Sequence, residues 1–484
     1  MNYKMVGRFI AQILTLETLF MIPALMMSMY WGESTATRGF IYTLSILVSL
    51  DMVLFQLCRG APSAFYAKEG FVCVALGWLS LSLTGGLPFW LSGEIPIFVD
   101  ALFEIVSGFT TTGASILSDV EALSRSLLYW RSFSHWLGGM GVLVFLLAIS
   151  PTGDKSSGFT MHLLRAESPG PNVEKLVPRM RKTASILYLL YIILTIINLV
   201  FLLVGKMPLF DAICTTFGTA GTGGFGIKND SMASYSPYIQ NVTTIFMFIF
   251  GVNFSCYYLL MLREVRAVFK DEELRLYVCI VVGSILLIFW NIYDLYSTSG
   301  ETLRHAAFQV SSIITTTGFA TTDFDLWPNF SKTILLGLMV VGACAGSTGG
   351  GLKCGRLLLL LKGLYRNIQL MLHPRKVHVL RNNGQPISAT VMDNANAYLS
   401  AYVMIIILSI LVVSLDGFSV ETNISAVVSC FNNIGPGLDA VGPTSNFGGY
   451  STLSKLVLIW DMLAGRLEIF PMLILFSSKT WRRR

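Results

Sequence analysis

Ten apolar runs, most of them about 20 residues long, constrain this chain more than any other feature, because that is the length a helix needs to cross hydrocarbon. They lie near 8–30, 38–57, 70–92, 128–150, 183–205, 238–262, 276–293, 331–346 with 355–365, 396–416 and 452–477. In lipid every backbone amide must find its partner inside the spanning segment, which selects helices. Charge is scarce to match: 34 Lys+Arg and 28 Asp+Glu make 13% of 484 residues, about half the usual share in soluble chains. A soluble domain or a disordered chain is thereby excluded. The first run is too long, and too soon followed by another, to be a removable signal peptide. The expected fold is an all-α polytopic membrane protein.

The net charge of +6 is concentrated in short loops, which argues for orientation rather than nucleic-acid binding. Lys155, Arg165, Lys175, Arg179, Arg181 and Lys182 form one cluster; Arg263, Arg266, Lys270 and Arg275 form the next. Lys362, Arg366, Arg375, Lys376 and Arg381, then Lys479 with Arg482, Arg483 and Arg484, complete the set. Ten crossings put all four clusters on one face with both termini, and the positive-inside rule makes that face cytoplasmic. Eight cysteines lie mostly in apolar runs without a CxxC pair, so they read as small packing residues and not as disulfides or zinc ligands.

Between some spans lie stretches too short to cross, at 99–113, 209–223, 303–318 and 421–435. After two N-terminal spans (1–68), the order span, half-helix, glycine loop, span recurs four times, over 69–182, 183–273, 274–388 and 389–484. The loops read Thr110, Thr111, Thr112, Gly113; Ala220, Gly221, Thr222, Gly223; Thr315, Thr316, Thr317, Gly318; and Asn432, Asn433, Ile434, Gly435. Ser107, Ser312 and Ser429 precede three of the glycines at the same distance, with Phe217 the exception. Irregular backbone survives at membrane depth only where protein covers it or where it lines a wet cavity. Four such loops are therefore expected to surround one aqueous path, with glycine letting carbonyls turn toward the axis and replace a monovalent cation's hydration shell. Threonine hydroxyls would either hold the backbone or touch the ion. No carboxylate lies in the four residues before any of these glycines, which disfavours a divalent-selective ring.

The eighth span is interrupted by Gly346, Ser347, Thr348, Gly349, Gly350 and Gly351. Glycine costs about 1 kcal/mol in a helix interior. Close helix packing accounts for one or two glycines; three in a row point to a loop lining the pore, a gate. Arg466 lies inside the last apolar run, where a charge costs about 2.5–3.5 kcal/mol. It either pairs with Asp461, Glu468 or a helix C-terminus, or projects beneath the loops as a barrier to cations. Lys353 either acts similarly or snorkels to the surface.

These segments also carry a family resemblance. SGFTTTGAS (107–115), TAGTGGFG (219–226), ITTTGFATTDF (314–324), GSTGGGLK (346–353), NNIGPGLDAVGP (432–443) and AGRLEIF (464–470) resemble the TrkH-type potassium uptake subunits of the Trk/Ktr/HKT superfamily. The resemblance implies four M1-P-M2 hairpins around a central ion pathway, potassium as the transported ion, and a bacterial inner-membrane location. It further implies a homodimer and a TrkA-like cytoplasmic regulatory ring, through which alone a nucleotide would act. In that family glycine in all four loops accompanies potassium preference. The second and fourth loops depart from TTTG, which leaves a sodium or mixed sodium–potassium pathway open. So does the potassium-translocating subunit of an ATP-driven pump, although the chain has no GxxxxGK[ST] phosphate loop of its own. No mid-membrane cluster of titratable groups calls for an enzyme. The basic loop 362–388 suits both anionic lipid and a docked partner.

Overall fold

The structure, a computed structural model, describes residues 1–60, 67–141, 180–375 and 379–481. The inner end of the expected fourth crossing and most of the first basic cluster lie outside these residues, as do Lys376 and Arg482 to Arg484.

Tyr3–Tyr30 and Ser34–Leu57 form the N-terminal pair, joined at Gly32 in a left-handed turn (φ 70°). Asn2 opens the first helix by accepting from Met5 N–H, filling one of the donors a helix start leaves free. Two carboxylates sit buried here: Glu17 accepts from Thr84 Oγ1 at 2.6 Å and Asp51 from Thr15 Oγ1 at 3.0 Å.

Unit one follows with a leading segment (Ala67–Gly85 and Leu87–Ser92), a half-helix (Phe98–Phe109) and a return helix (Arg125–Gly139). Unit two has Met180–Val204, Leu209–Gly221 and Pro237–Phe250; unit three has Glu272–Asn291, Ser299–Ile314 and Asn329–Val341; unit four has Ala389–Val413, Val420–Phe431 and Thr452–Arg466. Among the described residues six helices are long and apolar enough to cross a membrane by length and composition, and a bent pair makes up to seven. Their outward faces carry exposed Ile196, Val200, Leu286, Trp290, Met404 and Leu411. An apolar belt of this kind is unusual on a soluble monomer and suits lipid. The half-helices, by contrast, are buried along most of their length.

One expectation needs correcting. A break was anticipated only in the third return helix, yet all four return helices stop short, after 15, 14, 13 and 15 residues. The second bends by 88° into Phe254–Met261, and the fourth restarts as Phe470–Phe476. Residues at positive φ follow three of the ends, at Gly141, Gly342 and Glu468 with Ile469. The first and fourth return helices also pack tightly on their half-helices: a Cβ on Gly138 would overlap the carbonyl oxygen of Phe109, and one on Gly465 that of Phe431.

Candidate ion pathway

Each half-helix ends in the same backbone figure. Thr111, Thr222, Thr316 and Asn433 are left-handed (φ 57°, 54°, 57° and 57°), and two residues on stand Gly113, Gly224, Gly318 and Gly435, also at positive φ. The hydrogen bonds agree: Thr112 N–H to Ser107 O, Gly223 N–H to Gly218 O and Thr317 N–H to Ser312 O at 2.8 Å, and Ile434 N–H to Ser429 O at 3.0 Å. The second loop is therefore one residue out of the register expected from sequence. Gly224, not Gly223, matches the other three glycines; Gly223 matches Thr112, and Ala220 belongs to the half-helix. The string Gly221-Thr222-Gly223-Gly224 offers several glycines, and only backbone conformation chooses among them. In this register the serine-equivalent position is Gly218.

The four loops close on one another. A Cβ on Gly113 would strike the carbonyl oxygen of Gly223, one on Gly224 that of Thr317, one on Gly318 that of Ile434, and one on Gly435 would meet that of Thr112 at 2.8 Å. The sequence of contacts runs one, two, three, four and back to one. A ring of glycines this tight leaves no space for a side chain and places the loops about a single axis.

Most threonine hydroxyls hold backbone. Thr110 Oγ1 donates to Val106 O at 2.7 Å and Thr315 Oγ1 to Ser311 O at 2.6 Å. In unit four the Asn432 amide does this work, donating to Val428 O at 2.9 Å. Asn433 Nδ2 crosses to unit one, donating to Thr112 Oγ1 at 3.0 Å, and also bonds Met462 O at 2.9 Å.

Three supporting residues escaped the sequence reading. Arg131 and Glu104 form a buried ion pair (2.6 Å) behind the first two loops. Glu104 also accepts from Ser115 Oγ (2.9 Å) and Ile116 N–H (3.0 Å), while Arg131 donates to Gly226 O (2.9 Å) and lies 3.4 Å over the Phe225 ring. His135 Nδ1 lies 2.8 Å from Gly108 O, and Nε2 accepts from Phe225 N–H at 3.3 Å. Those partners select the Nδ1–H tautomer. Charges inside apolar runs were the available signal for the first two; nothing in the sequence marks His135.

Below the ring lies the interrupted segment. Gly350 N–H donates to Thr316 Oγ1 at 2.7 Å, and a Cβ there would meet Asn432 O at 2.5 Å; one on Gly349 would meet Thr315 O at 3.0 Å. Gly346 and Gly351 are left-handed (φ 72° and 76°). The glycines are needed both for the turn and for the close approach. Ser347 Oγ bonds Cys344 O (2.7 Å) and Thr348 Oγ1 bonds Phe250 O (3.3 Å).

Arg466 reaches across to this segment. It donates to Thr348 O (2.8 Å), to Gly139 O (2.7 Å) and to Gly138 O. The alternative acids are engaged elsewhere: Asp461 accepts from Ser409 Oγ at 2.8 Å, and Glu468 pairs with Arg356 and, at 3.0 Å, with Lys353. Lys353 thus shares Glu468 with Arg356. At the outer rim, the hydroxyls of Ser419 (2.5 Å) and Thr422 (2.6 Å) donate to Asp439 and hold its carboxyl below the usual carboxylate range.

A polytopic helical protein with four broken hairpins about one axis belongs to a class of cation-conducting membrane proteins, and the comparisons agree. A family model described as the cation transport protein TrkH matches residues 36–483. The chain is 35% identical over 492 residues to the Trk system potassium uptake protein TrkH of Salmonella typhimurium, and 34% identical to that of Escherichia coli K12, covering 100% of each chain in both cases. It is 32% identical to the Escherichia coli Trk system potassium uptake protein TrkG, over 96% of each chain. The crystal structure of the potassium transporter TrkH from Vibrio parahaemolyticus superposes with a TM-score of 0.88 at 31% identity, covering 100% of both chains. The chain belongs to the TrkH family, a family of transporters and not of enzymes.

Proposed function

We propose that the chain is the membrane subunit of a Trk-type potassium uptake system, passing potassium through a channel-like path in the bacterial inner membrane with both termini cytoplasmic. The closed ring formed by Gly113, Gly224, Gly318 and Gly435 is the observation that carries this reading. It supports a filter in which carbonyls of Thr110 to Gly113, Gly221 to Gly224, Thr315 to Gly318 and Asn432 to Gly435 replace the ion's hydration shell. The names of the relatives support potassium as the ion. The remaining parts of the reading are the division into two N-terminal helices and four units at 68, 182, 273 and 388, a homodimer, and a TrkA-like cytoplasmic ring as the only route for a nucleotide.

Gly346 to Gly351 would serve as the gate, with Arg466 latching it through the Thr348 carbonyl to the end of the first return helix. The test is Arg466→Ala in liposomes: basal potassium or rubidium flux rises, and unchanged flux from a folded preparation refutes the latch. A second reading, mixed sodium–potassium conduction, is favoured by the departures at Gly221, Gly223, Asn432, Asn433 and Ile434 from the threonines of units one and three. Equal sodium and rubidium flux through the purified protein would establish it, and flux with N-methylglucamine gradients sets the background.

A further inference from the structure

Between units three and four a short hairpin reaches back to the helix that touches the gate segment. Arg381–Asn382 pairs antiparallel with Gln385–Pro386 through Asn383 and Gly384, both left-handed (φ 50° and 78°), as a two-residue hairpin turn requires. The Asn383 side chain bonds the start of Glu272–Asn291 in both directions. Its Nδ2 donates to Asp271 Oδ2 at 2.8 Å and its Oδ1 accepts from Glu272 N–H at 3.0 Å. Asp271 is itself the cap of that helix, accepting from Leu274 N–H at 2.8 Å. Lys362, from the helix that follows the gate segment, pairs with Glu272 and donates to Arg381 O at 2.8 Å.

The next residue faces the other way. Glu273 is buried, and its Oε1 accepts from Ala345 N–H at 2.6 Å, at the base of the gate segment. Gly355, on the far side of that base, is so close that a Cβ would meet the same oxygen at 2.9 Å. The base is bonded throughout: Cys344 N–H to Gly251 O (3.1 Å), Phe254 N–H to Gly346 O (3.0 Å) and Cys354 N–H to Ala343 O (2.9 Å). Above it, the apex rests on the filter loops and Arg466.

We propose that the Asp271–Glu272–Glu273 turn is a coupling element, through which the Arg381–Pro386 hairpin sets the position of the gate segment. The inference rests on the gate reading of Gly346 to Gly351 and adds a route by which a force applied at the exposed, cytoplasm-assigned hairpin reaches it. Three consecutive residues hold both objects, so displacing one strains the bonds to the other. Contiguity alone is not coupling, and a double-mutant cycle measures it.

The experiment uses the full chain in liposomes and reads rubidium influx and the rubidium-to-sodium ratio. Asn383→Gly keeps the left-handed turn and deletes both side-chain bonds. Glu273→Ala removes the acceptor, and Glu273→Gln keeps an oxygen without the charge. Each of the first two is expected to raise basal flux about 2- to 30-fold with the ratio unchanged. The double variant exceeds neither single by a further factor, and Glu273→Gln falls between Glu273→Ala and the parent. Unchanged flux in both singles while Arg466→Ala raises flux overturns the coupling and leaves the gate intact. Effects that multiply in the double, or a changed ion ratio, also overturn it. If Arg466→Ala is flat as well, the gate reading itself fails and the coupling falls with it.

Discussion

Replacing Arg131 with methionine puts the buttress behind the filter to a quantitative test. The guanidinium pairs with Glu104 (2.6 Å), bonds Gly226 O (2.9 Å) and covers the Phe225 ring (3.4 Å), and both charged side chains are buried. Methionine fills part of the volume but leaves the Glu104 carboxylate with only the neutral donors Ser115 and Ile116. Breaking one side of a buried pair costs about 3–5 kcal/mol, and the orphaned Gly226 carbonyl adds about 1–3 kcal/mol. Glu104→Gln on its own keeps one acceptor oxygen but leaves the buried Arg131 charge without its counter-charge, so it is destabilising too. Combined with Arg131→Met it also removes the unpaired charge, and the double variant should recover about 2 kcal/mol or more of the loss. The assay is thermal unfolding of purified protein in detergent, scored by monodisperse elution after heating. The expected order is parent, double, then Arg131→Met, with Glu104→Gln also below the parent. An Arg131→Met protein as stable as the parent, or a double variant at the sum of the singles, refutes the argument.

Three further outcomes follow from local geometry. Gly465→Ala places a methyl group against Phe431 O and should abolish flux, whereas Gly337→Ala, in a helix with nothing within 4 Å of the new Cβ, should keep flux and gain up to about 1 kcal/mol of stability; thermal midpoints and rubidium uptake check both. His135→Phe strands Phe225 N–H and takes one of two donors from Gly108 O, which keeps Thr111 N–H at 3.1 Å; at about 1–3 kcal/mol for the buried group left unpaired, both thermal stability and flux should fall. Asp439, with its carboxyl held low by Ser419 and Thr422, contributes stability that is present above the ordinary aspartate range and lost as pH falls through its lowered value. The drop in thermal midpoint below about pH 4 should therefore be steeper in the parent than in Asp439→Asn.

The sequence made the membrane class, the half-helices and the glycine loops legible because each rests on a local signal: apolar length, charge bias, or a glycine after threonines. What it concealed depends on contacts between distant segments. Gly138 and Gly465 read as ordinary packing glycines, yet the carbonyls of Phe109 and Phe431 lie against them so closely that no other residue fits. The register of the second loop depends on which glycine abuts Thr317 O, a residue of another unit. Arg131 and Glu104 were visible as charges in apolar surroundings, but the half-helix and return helix had to be folded together before each became the other's partner.

On the gate reading proposed above, Arg466 acts as a latch through its bonds to main chain. Arg131, Lys353, Arg356 and Lys455 each face a carboxylate, Lys353 and Arg356 sharing Glu468, so displacing Arg131 or Lys455 strands an opposite charge in a poorly solvated site, at several kcal/mol. Arg466 grips main-chain carbonyls from two segments, Thr348 on one side and Gly138 with Gly139 on the other. A hydrogen bond from a charged donor is worth about 1.5–3 kcal/mol, and along a wet path water can take the place of either partner. On that reading, moving the loop frees the Thr348 carbonyl and breaks these bonds to main chain. Replacing Arg466 with lysine tests this reasoning more finely than alanine does. The charge remains, but a single ammonium cannot span Thr348 and the Gly138–Gly139 pair with the same fork, so basal flux should rise above the parent and stay below that of Arg466→Ala. A lysine variant as tightly closed as the parent would show that the charge alone forms the barrier and that the bridging geometry is dispensable.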